Sequence, residues 1–160
     1  MQKPPANTLD PRAFRAWVIR GIITGIVLLA IPTSYFIAIS HWLEWPPVWG
    51  WLLLTIVLIY SVLETLIFPK IRLKFWRYEI HQDEIDIQHG ILIIKRTLIP
   101  MVRVQHVDTE HGPIMRKFGL ATLSIYTAGS THKIPALAFN QAQTLRSQIA
   151  HLAQVSDEDV

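Results

Sequence analysis

The chain has 160 residues, of which 51% are hydrophobic and 17% are charged, and it contains no cysteine. This length suits about one ordinary domain, and the composition is too apolar for a typical soluble protein of this size, so it indicates a membrane protein. The lack of cysteine excludes disulfides, thiolate catalysis and cysteine-bound metal sites, while the formal net charge of +3 suits either nucleic acid or an anionic membrane surface.

Two long apolar segments are the first predicted elements. Twenty uncharged residues lie between Arg20 and His41, and a helix of that length is about 30 Å long, enough to cross a bilayer core. A second apolar segment follows after a short connection. We therefore predict transmembrane helices over residues 17–40 and 48–68, which together form a helical hairpin. Pro32 is expected to kink the first helix.

Basic residues flank this hairpin on one side only. They precede the first span (Lys3, Arg12, Arg15 and Arg20) and follow the second (Lys70, Arg72, Lys74 and Arg77), whereas the connection has none. Because positive residues stay on the cytoplasmic side, both termini should face the cytoplasm, with residues 1–16 as an N-terminal tail. A cleaved signal peptide does not fit, since the apolar run is too long and a second span follows at once.

After the second span the pattern changes from continuously apolar to alternating, which predicts strands with one buried face. The predicted strands cover residues 76–81, 84–88, 91–99, 101–107, 121–126 and 131–134. An amphipathic helix capped by Asn140 follows, and residues 156–160 form an acidic tail. Residues 69–155 thus read as a small cytoplasmic domain, a bent sheet or barrel whose open end the helix covers, so the fold class is an α+β membrane protein.

An ordered set of motifs in this domain resembles a known family. The motifs are Ile99-Pro100, Arg103-Val104-Gln105-x-Val107, Gly112-Pro113, Arg116-x-Phe118-Gly119-Leu120 and Thr127-Ala128-Gly129. With two spans before them and a helix after them, they resemble the YdbS-like family of membrane-flanked bacterial pleckstrin-homology (PH) domains. The resemblance implies two near-orthogonal antiparallel sheets capped by a C-terminal helix. It also implies the bacterial inner membrane, no established enzymatic activity, and a larger companion protein that carries several such domains.

Four polar residues of the motif region are candidates for binding a partner: Arg103, Gln105, Arg116 and Lys117. Arginine offers paired donors that suit a partner's carboxylate or an anionic headgroup. The alternative is that these side chains only form the solvated face of a strand and a loop, as alternation alone would predict.

The basic residues after the second span, Lys70, Arg72, Lys74 and Arg77, are candidates for contact with anionic lipid. Each such residue near the inner surface can gain about 1 kcal/mol from anionic lipid, although the cluster also serves as a plain topology signal. The phosphoinositide site of eukaryotic PH domains is not expected, because the corresponding loop, residues 81–84, is acidic and a shared fold does not carry function across such a difference.

Two features inside the spans are also candidates for function. Glu64 lies about one turn inside the second span, where an ionised group is costly unless it pairs or reaches the interface. It is part of a proton or ion path, or it extends toward the headgroups, or it pairs with Lys70 or Arg72. Gly21 and Gly25 form a G-x-x-x-G pattern that can serve as a close-packing face, or they reflect only the usual glycine content of spans.

The remaining chemistry points away from an enzyme. The histidines are scattered without a ligand spacing, no nucleophile–base motif is present, and no cofactor or metal is expected. Nucleic acid is not expected either, because the basic residues concentrate at the membrane borders. The main hypothesis is a membrane-anchored assembly module that binds the larger companion, membrane lipids or further copies of itself. The alternatives are a subunit of an export or envelope-defence transport system and an anionic-lipid sensor.

Overall fold

The computed structural model describes residues 4–41, 45–91 and 93–158. It divides the chain into two compact units. One unit is Arg15–Lys70, which contains the two apolar helices. The other unit combines Met1–Phe14 with Ile71–Val160 and contains the sheets. The apolar unit is therefore inserted in the sequence of the second one.

The first apolar helix runs over Ala13–His41, with a mean hydropathy of 2.2. It consists of α1 (Ala13–Leu28) and α2 (Ala30–His41), which are interrupted at Leu29. The interruption lies one turn before Pro32, whose missing N–H removes one backbone hydrogen bond. The hydroxyl of Thr33 donates a hydrogen bond to the Leu29 carbonyl at 2.7 Å, so the carbonyl at the interruption has a hydrogen-bond donor. This helix is long and apolar enough to cross a membrane.

The second apolar helix runs over Val48–Phe75, also with a mean hydropathy of 2.2. It consists of α3 (Val48–Val62), a π-helical turn (Leu63–Ile67) and α4 (Phe68–Phe75). The helix thus continues past the predicted end of the span at residue 68. The basic residues 70, 72 and 74 are therefore carried on helix rather than on a linker.

The sheet-containing unit has two antiparallel sheets. The first has the order β1 (Asn7–Thr8), β2 (Arg77–Ile80), β3 (Glu84–His89) and β4 (Lys95–Pro100). The second has the order β5 (Val104–Glu110), β6 (Leu120–Thr127) and β7 (Thr131–Ala138). A short helix, α5 (Pro113–Lys117), precedes β6, and α6 (Phe139–Glu158) ends the chain. The predicted fold class, two apolar helices followed by two antiparallel sheets and a C-terminal helix, is confirmed.

The core of this unit follows from the pleat of the strands. Alternate strand residues point to one face, and those that face inward are almost fully buried: Tyr78, Ile85, Ile87 and Ile99 from the first sheet, and Leu123, Ile125 and Ile134 from the second. Ala142 and Ile149 of α6 are buried as well, as the helical period of its apolar residues predicts. Both sheets and the helix therefore bury apolar side chains, which stabilises the fold by removing apolar surface from water.

The N-terminal segment is structured rather than being the simple tail that we expected. Asn7 pairs with Tyr78 and Thr8 with Arg77, so β1 is an antiparallel edge strand of the first sheet. The N–H of Asp10 donates to the Ala136 carbonyl at 3.1 Å, and Leu9 is only 3% exposed. This segment therefore contributes to both sheets.

Three predicted strands also differ from the structure. The predicted strand 101–107 is a 3-10 turn (Met101–Arg103) followed by β5 at Val104–Glu110. The fourth strand begins at Lys95 rather than at Ile91, so Ile91, Ile93 and Ile94 belong to a loop. The last strand continues through Pro135 to Ala138, because β7 is an edge strand and proline is tolerated there. The predicted acidic tail is helical as far as Glu158, and its last two residues lie outside the described part of the chain.

Candidate functional site

One edge of the second sheet lies beside a groove. The strand order makes β5 an edge strand, and a groove of about 780 Å³ separates its first half from the C-terminal part of α6. Residues of β5 and its approach line one wall (Val102, Val104 and Gln105), and α6 lines the other (Ala150, Ala153 and Gln154). We call this feature the β5–α6 groove.

Local sequence explains why the groove is open. Ala150 and Ala153 are three residues apart and so lie on one face of α6, where their small side chains leave room next to β5. On the opposite wall the strand register shifts between Val104 and His106. A bulge of this kind places an extra residue in one strand and redirects its side chain. Here the extra residue is the exposed Gln105.

Polar side chains continue from the groove across the outer face of the second sheet. His106 stacks on Tyr126 with ring centroids 4.2 Å apart. Glu110 accepts hydrogen bonds from Ser124 at 3.3 Å and from Tyr126 at 3.4 Å, and Lys133 lies 3.3 Å from its other carboxylate oxygen. The groove is lined by both apolar and polar side chains, and this mixture with a polar rim is compatible with binding a protein segment.

The four candidate partner-binding residues fall into two groups. Arg103 ends the 3-10 turn before β5, and Gln105 lies at the start of β5, where it lines the β5–α6 groove. Arg116 and Lys117 lie on α5, beyond the far end of β5, which at about 3.3 Å per residue is roughly 20 Å long. All four are exposed. The structure therefore does not bring them together in one site.

Arg116 lines a second and smaller cavity. This cavity has a volume of about 340 Å³, and its other lining residues are His111, Gly119, Leu120 and Phe139. The ring of His111 packs edge-on against Phe139, with centroids 5.4 Å apart. Since α6 begins at Phe139, this cavity lies at the N-terminal end of the helix, whereas the β5–α6 groove lies towards its C-terminal end.

The candidate lipid-contact residues lie on α4 and at the start of β2. Lys70, Arg72 and Lys74 are exposed on α4, and Arg77 is half-buried at the start of β2. Residues four apart on a helix differ by only about 40°, so Lys70 and Lys74 share one face of α4, and Arg72, about 200° from Lys70, lies on the opposite face. Contact with anionic lipid stays a prediction.

Glu64 lies inside the π-helical turn Leu63–Ile67. Turns of this kind are rare and occur often at functional sites. No ion pair of Glu64 is among those formed by the described residues, and its pairing with Lys70 or Arg72 stays a prediction. The apolar sequence around Glu64 gives no signal for the π turn, which was therefore not predicted.

The glycines of the first span form a close-packing face within the hairpin. A Cβ atom at Gly21 would lie 2.7 Å from Thr65 Oγ1 and 3.0 Å from Thr65 Cα. A Cβ atom at Gly25 would lie 2.9 Å from Ser61 Oγ. All three distances are shorter than normal van der Waals contact, so glycine at these positions favours this close approach of the two helices. The G-x-x-x-G pattern therefore has a structural role.

Five groups among the described residues of the sheet-containing unit have a shifted pKa. Hydrogen bonds to Asp10 and Asp86 raise the pKa values of Arg12 and Arg96. Burial raises the pKa of the Tyr78 hydroxyl, which accepts a hydrogen bond from Gln141 at 2.9 Å. Burial, with a smaller effect of Lys95, lowers the pKa of His89. The hydrogen bond from the exposed Arg12 lowers the pKa of Asp10. None of these groups combines with a nucleophile, and among the described residues no three His, Asp or Glu side chains are placed to hold a metal ion.

Comparisons with known proteins identify relatives. The family model described as bacterial PH domain matches residues 13–153. The chain is 42% identical over 160 residues, the full length of both proteins, to the UPF0699 transmembrane protein YdbS of Bacillus subtilis (strain 168). It is 28% identical over 81 residues to the UPF0699 transmembrane protein YdbT of the same organism, a match that covers 46% of this chain and 16% of YdbT. No solved structure matches the chain.

Proposed function

The chain belongs to the bacterial PH domain family, and from this premise we propose that it is a membrane-anchored assembly module whose β5–α6 groove holds an extended segment of a companion membrane protein. The hairpin anchors the module in the membrane, and the domain supplies the binding surface. No enzymatic activity is part of the proposal, because the family is one of binding modules.

The observation that carries the proposal is that β5, an edge strand of the second sheet, lies beside a groove of about 780 Å³. An edge strand presents backbone donors and acceptors to which another chain can add a strand. The small Ala150 and Ala153 leave room on α6 for the side chains of that added strand. Backbone pairing would provide affinity, and the groove and its polar rim would provide specificity.

The companion that fits best is a larger membrane protein with several PH-like domains. The match to YdbT covers only 16% of that protein, so a segment related to this chain also occurs within a much longer transmembrane protein. Related domains with open strand edges can pair with each other in the same way that strands pair within a sheet. A second copy of this chain is the other candidate for the groove.

The proposed location is the cytoplasmic face of the inner membrane. The basic residues that flank both spans support this orientation. Pairing of β1 with β2 supports it as well, because β1 precedes the first span and β2 follows the second. Two strands of one sheet lie on the same side of a membrane, so both ends of the hairpin must be on that side.

A matched pair of arginine substitutions on α6 tests the groove. Ala150→Arg places a long charged side chain in the groove, whereas Gln148→Arg places the same side chain at an exposed position two residues away that does not line it. The full chain is purified from native membranes in mild detergent after gentle cross-linking, and the proteins that accompany it are identified. We expect that the wild type and Gln148→Arg each bring down a larger multi-domain relative in a fixed ratio. Ala150→Arg should bring down at least tenfold less of it, which corresponds to a loss of about 1.4 kcal/mol in binding free energy.

Other outcomes would contradict the proposal or redirect it. Equal recovery of the relative with both variants would show that the groove is not the binding surface. Recovery of the chain alone, with dimers that Ala150→Arg abolishes, would assign the groove to a second copy. Isolation of monomers from wild type and both variants would remove the support for assembly through this surface.

A transport role is a second candidate, favoured by the π-helical turn at Glu64. An ionisable residue inside a span is a candidate for an ion or proton path. Glu64→Gln keeps the size of the side chain and removes its charge, so it should abolish an export phenotype if Glu64 carries ions. If the spans only anchor the domain, the same change should be silent while assembly with the companion persists.

A further inference from the structure

The loop between β3 and β4, of which the structure describes residues 90, 91, 93 and 94, presents apolar side chains to its surroundings. Ile93 is 84% exposed, Ile94 is 61% exposed and Ile91 is 48% exposed. Large aliphatic residues are normally buried, and grouped exposed ones mark surfaces that bind a protein or a membrane. Among the described residues of this unit, Ile93 and Ile94 are the most exposed large hydrophobic side chains, so their exposure requires an explanation.

The backbone conformation of Gly90 determines the turn at the start of this loop. Gly90 has a φ of 122°, a region that favours glycine. A Cβ atom at Gly90 would overlap the carbonyl oxygen of Ile93. The turn that presents the isoleucines therefore depends on glycine at this position.

Strand pairing shows at which end of the first sheet the loop lies. Gln88, at the end of β3, pairs with Arg77, the first residue of β2. The ring of His89 stacks on that of Trp76, with centroids 4.6 Å apart and an angle of 18° between the planes. Trp76 directly follows the last residue of α4. The loop therefore lies at the end of the sheet where the chain enters from α4.

The residues around the base of the loop are those typical of a membrane interface. Lys95 follows the loop and is exposed, Lys74 is exposed in the last turn of α4, and Arg77 and Trp76 begin the sheet. Tryptophan prefers the headgroup level of a bilayer, and exposed lysine and arginine are attracted to anionic lipid. The loop tip is apolar, and the residues near its base are basic and aromatic. This order matches a bilayer, in which hydrocarbon lies beneath anionic headgroups.

From these observations we infer that the loop of residues 90–94 inserts its isoleucines into the headgroup–acyl boundary of the lipid bilayer that holds the spans. The occupant of this surface is lipid, whereas the β5–α6 groove holds a protein segment on the other sheet. The inference thus goes beyond the proposed function and does not depend on a companion protein. In effect the domain has a third membrane contact in addition to its two spans.

The test uses the absence of cysteine from the chain. Ile93→Cys and Gln82→Cys each provide one site for a nitroxide spin label on the full-length protein. Gln82 is exposed in the turn between β2 and β3, at the opposite end of the same sheet, and is the matched control. Each labelled protein is placed in nanodiscs of phosphatidylcholine and phosphatidylglycerol at one chain per disc, and collisions with oxygen and with a water-soluble nickel chelate are measured.

We expect the label at position 93 to favour oxygen over nickel and to lie about 5–10 Å into the interface, whereas the label at position 82 should be open to nickel. Adding Gly90→Ala to the Ile93→Cys protein should reduce the depth, because the turn is altered. Insertion in pure phosphatidylcholine, or only when phosphatidylglycerol is present, would each support the inference. Equal access of nickel to positions 93 and 82 would overturn it, as would shielding of position 93 that appears only at several chains per disc.

Discussion

The carboxylate of Asp86 lies in the middle of β3, and the residue is only 1% exposed. Arg96 on β4 binds it through two nitrogens: Nε donates at 3.1 and 2.9 Å, and a terminal nitrogen donates at 2.6 Å. The bidentate geometry suits a guanidinium. The two partners are not equivalent, because the Arg96 side chain is 29% exposed to solvent whereas the Asp86 side chain is 2% exposed.

The difference in exposure between Arg96 and Asp86 predicts which substitution destabilises the protein more. Arg96→Met leaves a buried charge without its partner and should lower the free energy of unfolding by about 3–5 kcal/mol. Asp86→Asn leaves a guanidinium that can turn towards water and should cost only about 1–2 kcal/mol. Urea titration of the full chain in detergent, followed by tryptophan fluorescence, measures both. The double variant Asp86→Leu/Arg96→Met should be more stable than Arg96→Met alone, and equal losses for the two single variants would refute the argument.

Individual elements differ in how far the sequence predicts them. Alternation located β2, β3, β6 and α6 well, since the pleat and the helical turn impose fixed periods on buried residues. The run at residues 91–94 has no period, so it was wrongly assigned to a strand. The two-residue strand β1 also has no recognisable pattern, because it is held by partners about 70 positions later in the chain.

The candidate site was predictable only in part. Exposed polar residues at the start of β5 and on α5 were recognised from alternation and motif. Their separation into two groups depends on the length of β5, and the groove depends on where α6 lies. Neither the bulge at Gln105 nor the room left by Ala150 and Ala153 has a signature in a single sequence. Such features come from tertiary packing, which local patterns do not encode.

At the hairpin the two glycines should differ in their tolerance of a methyl group. At Gly21 a Cβ atom would meet the backbone of Thr65, whereas at Gly25 its neighbours are side-chain atoms of Ser61. A side chain can rotate away and a backbone cannot without moving the helix. Gly21→Ala should therefore lower the midpoint of thermal unfolding in detergent more than Gly25→Ala does. Gly129→Ala, where nothing lies within 4 Å, is the control, and a larger loss for Gly25→Ala would contradict this account.

Across the whole molecule, the apolar helices are inserted between two parts of one domain. Met1–Phe14 belongs to the same compact unit as Ile71–Val160. The exposed Glu79 carboxylate accepts from the N–H of Ala6 at 3.1 Å, in addition to the strand pairs of β1 and β2. The residues before the first span and those after the second are thus held in one sheet.

This arrangement predicts a labelling pattern in cells. Single cysteines are placed before the first span, in the outer connection and in the domain, by Ala6→Cys, Pro47→Cys and Ala128→Cys. A membrane-impermeant maleimide should label intact cells only at position 47, and the other two positions should react only after permeabilisation. Labelling of positions 6 and 128 from different sides would contradict the sheet pairing. Labelling of both positions in intact cells would show that the termini face the outside, opposite to the proposed orientation.

The pairing of β1 with β2 also sets an order of events during biosynthesis. The ribosome releases β1 before either span and β2 only after both, because synthesis proceeds from the N-terminus. The first sheet can form only after both spans have crossed the membrane, because β2 then emerges on the same side of the membrane as β1. A chain in which only one span has crossed keeps the two strands apart and leaves the edge of β2 unpaired. Completion of the domain is in this way conditional on correct insertion of the hairpin.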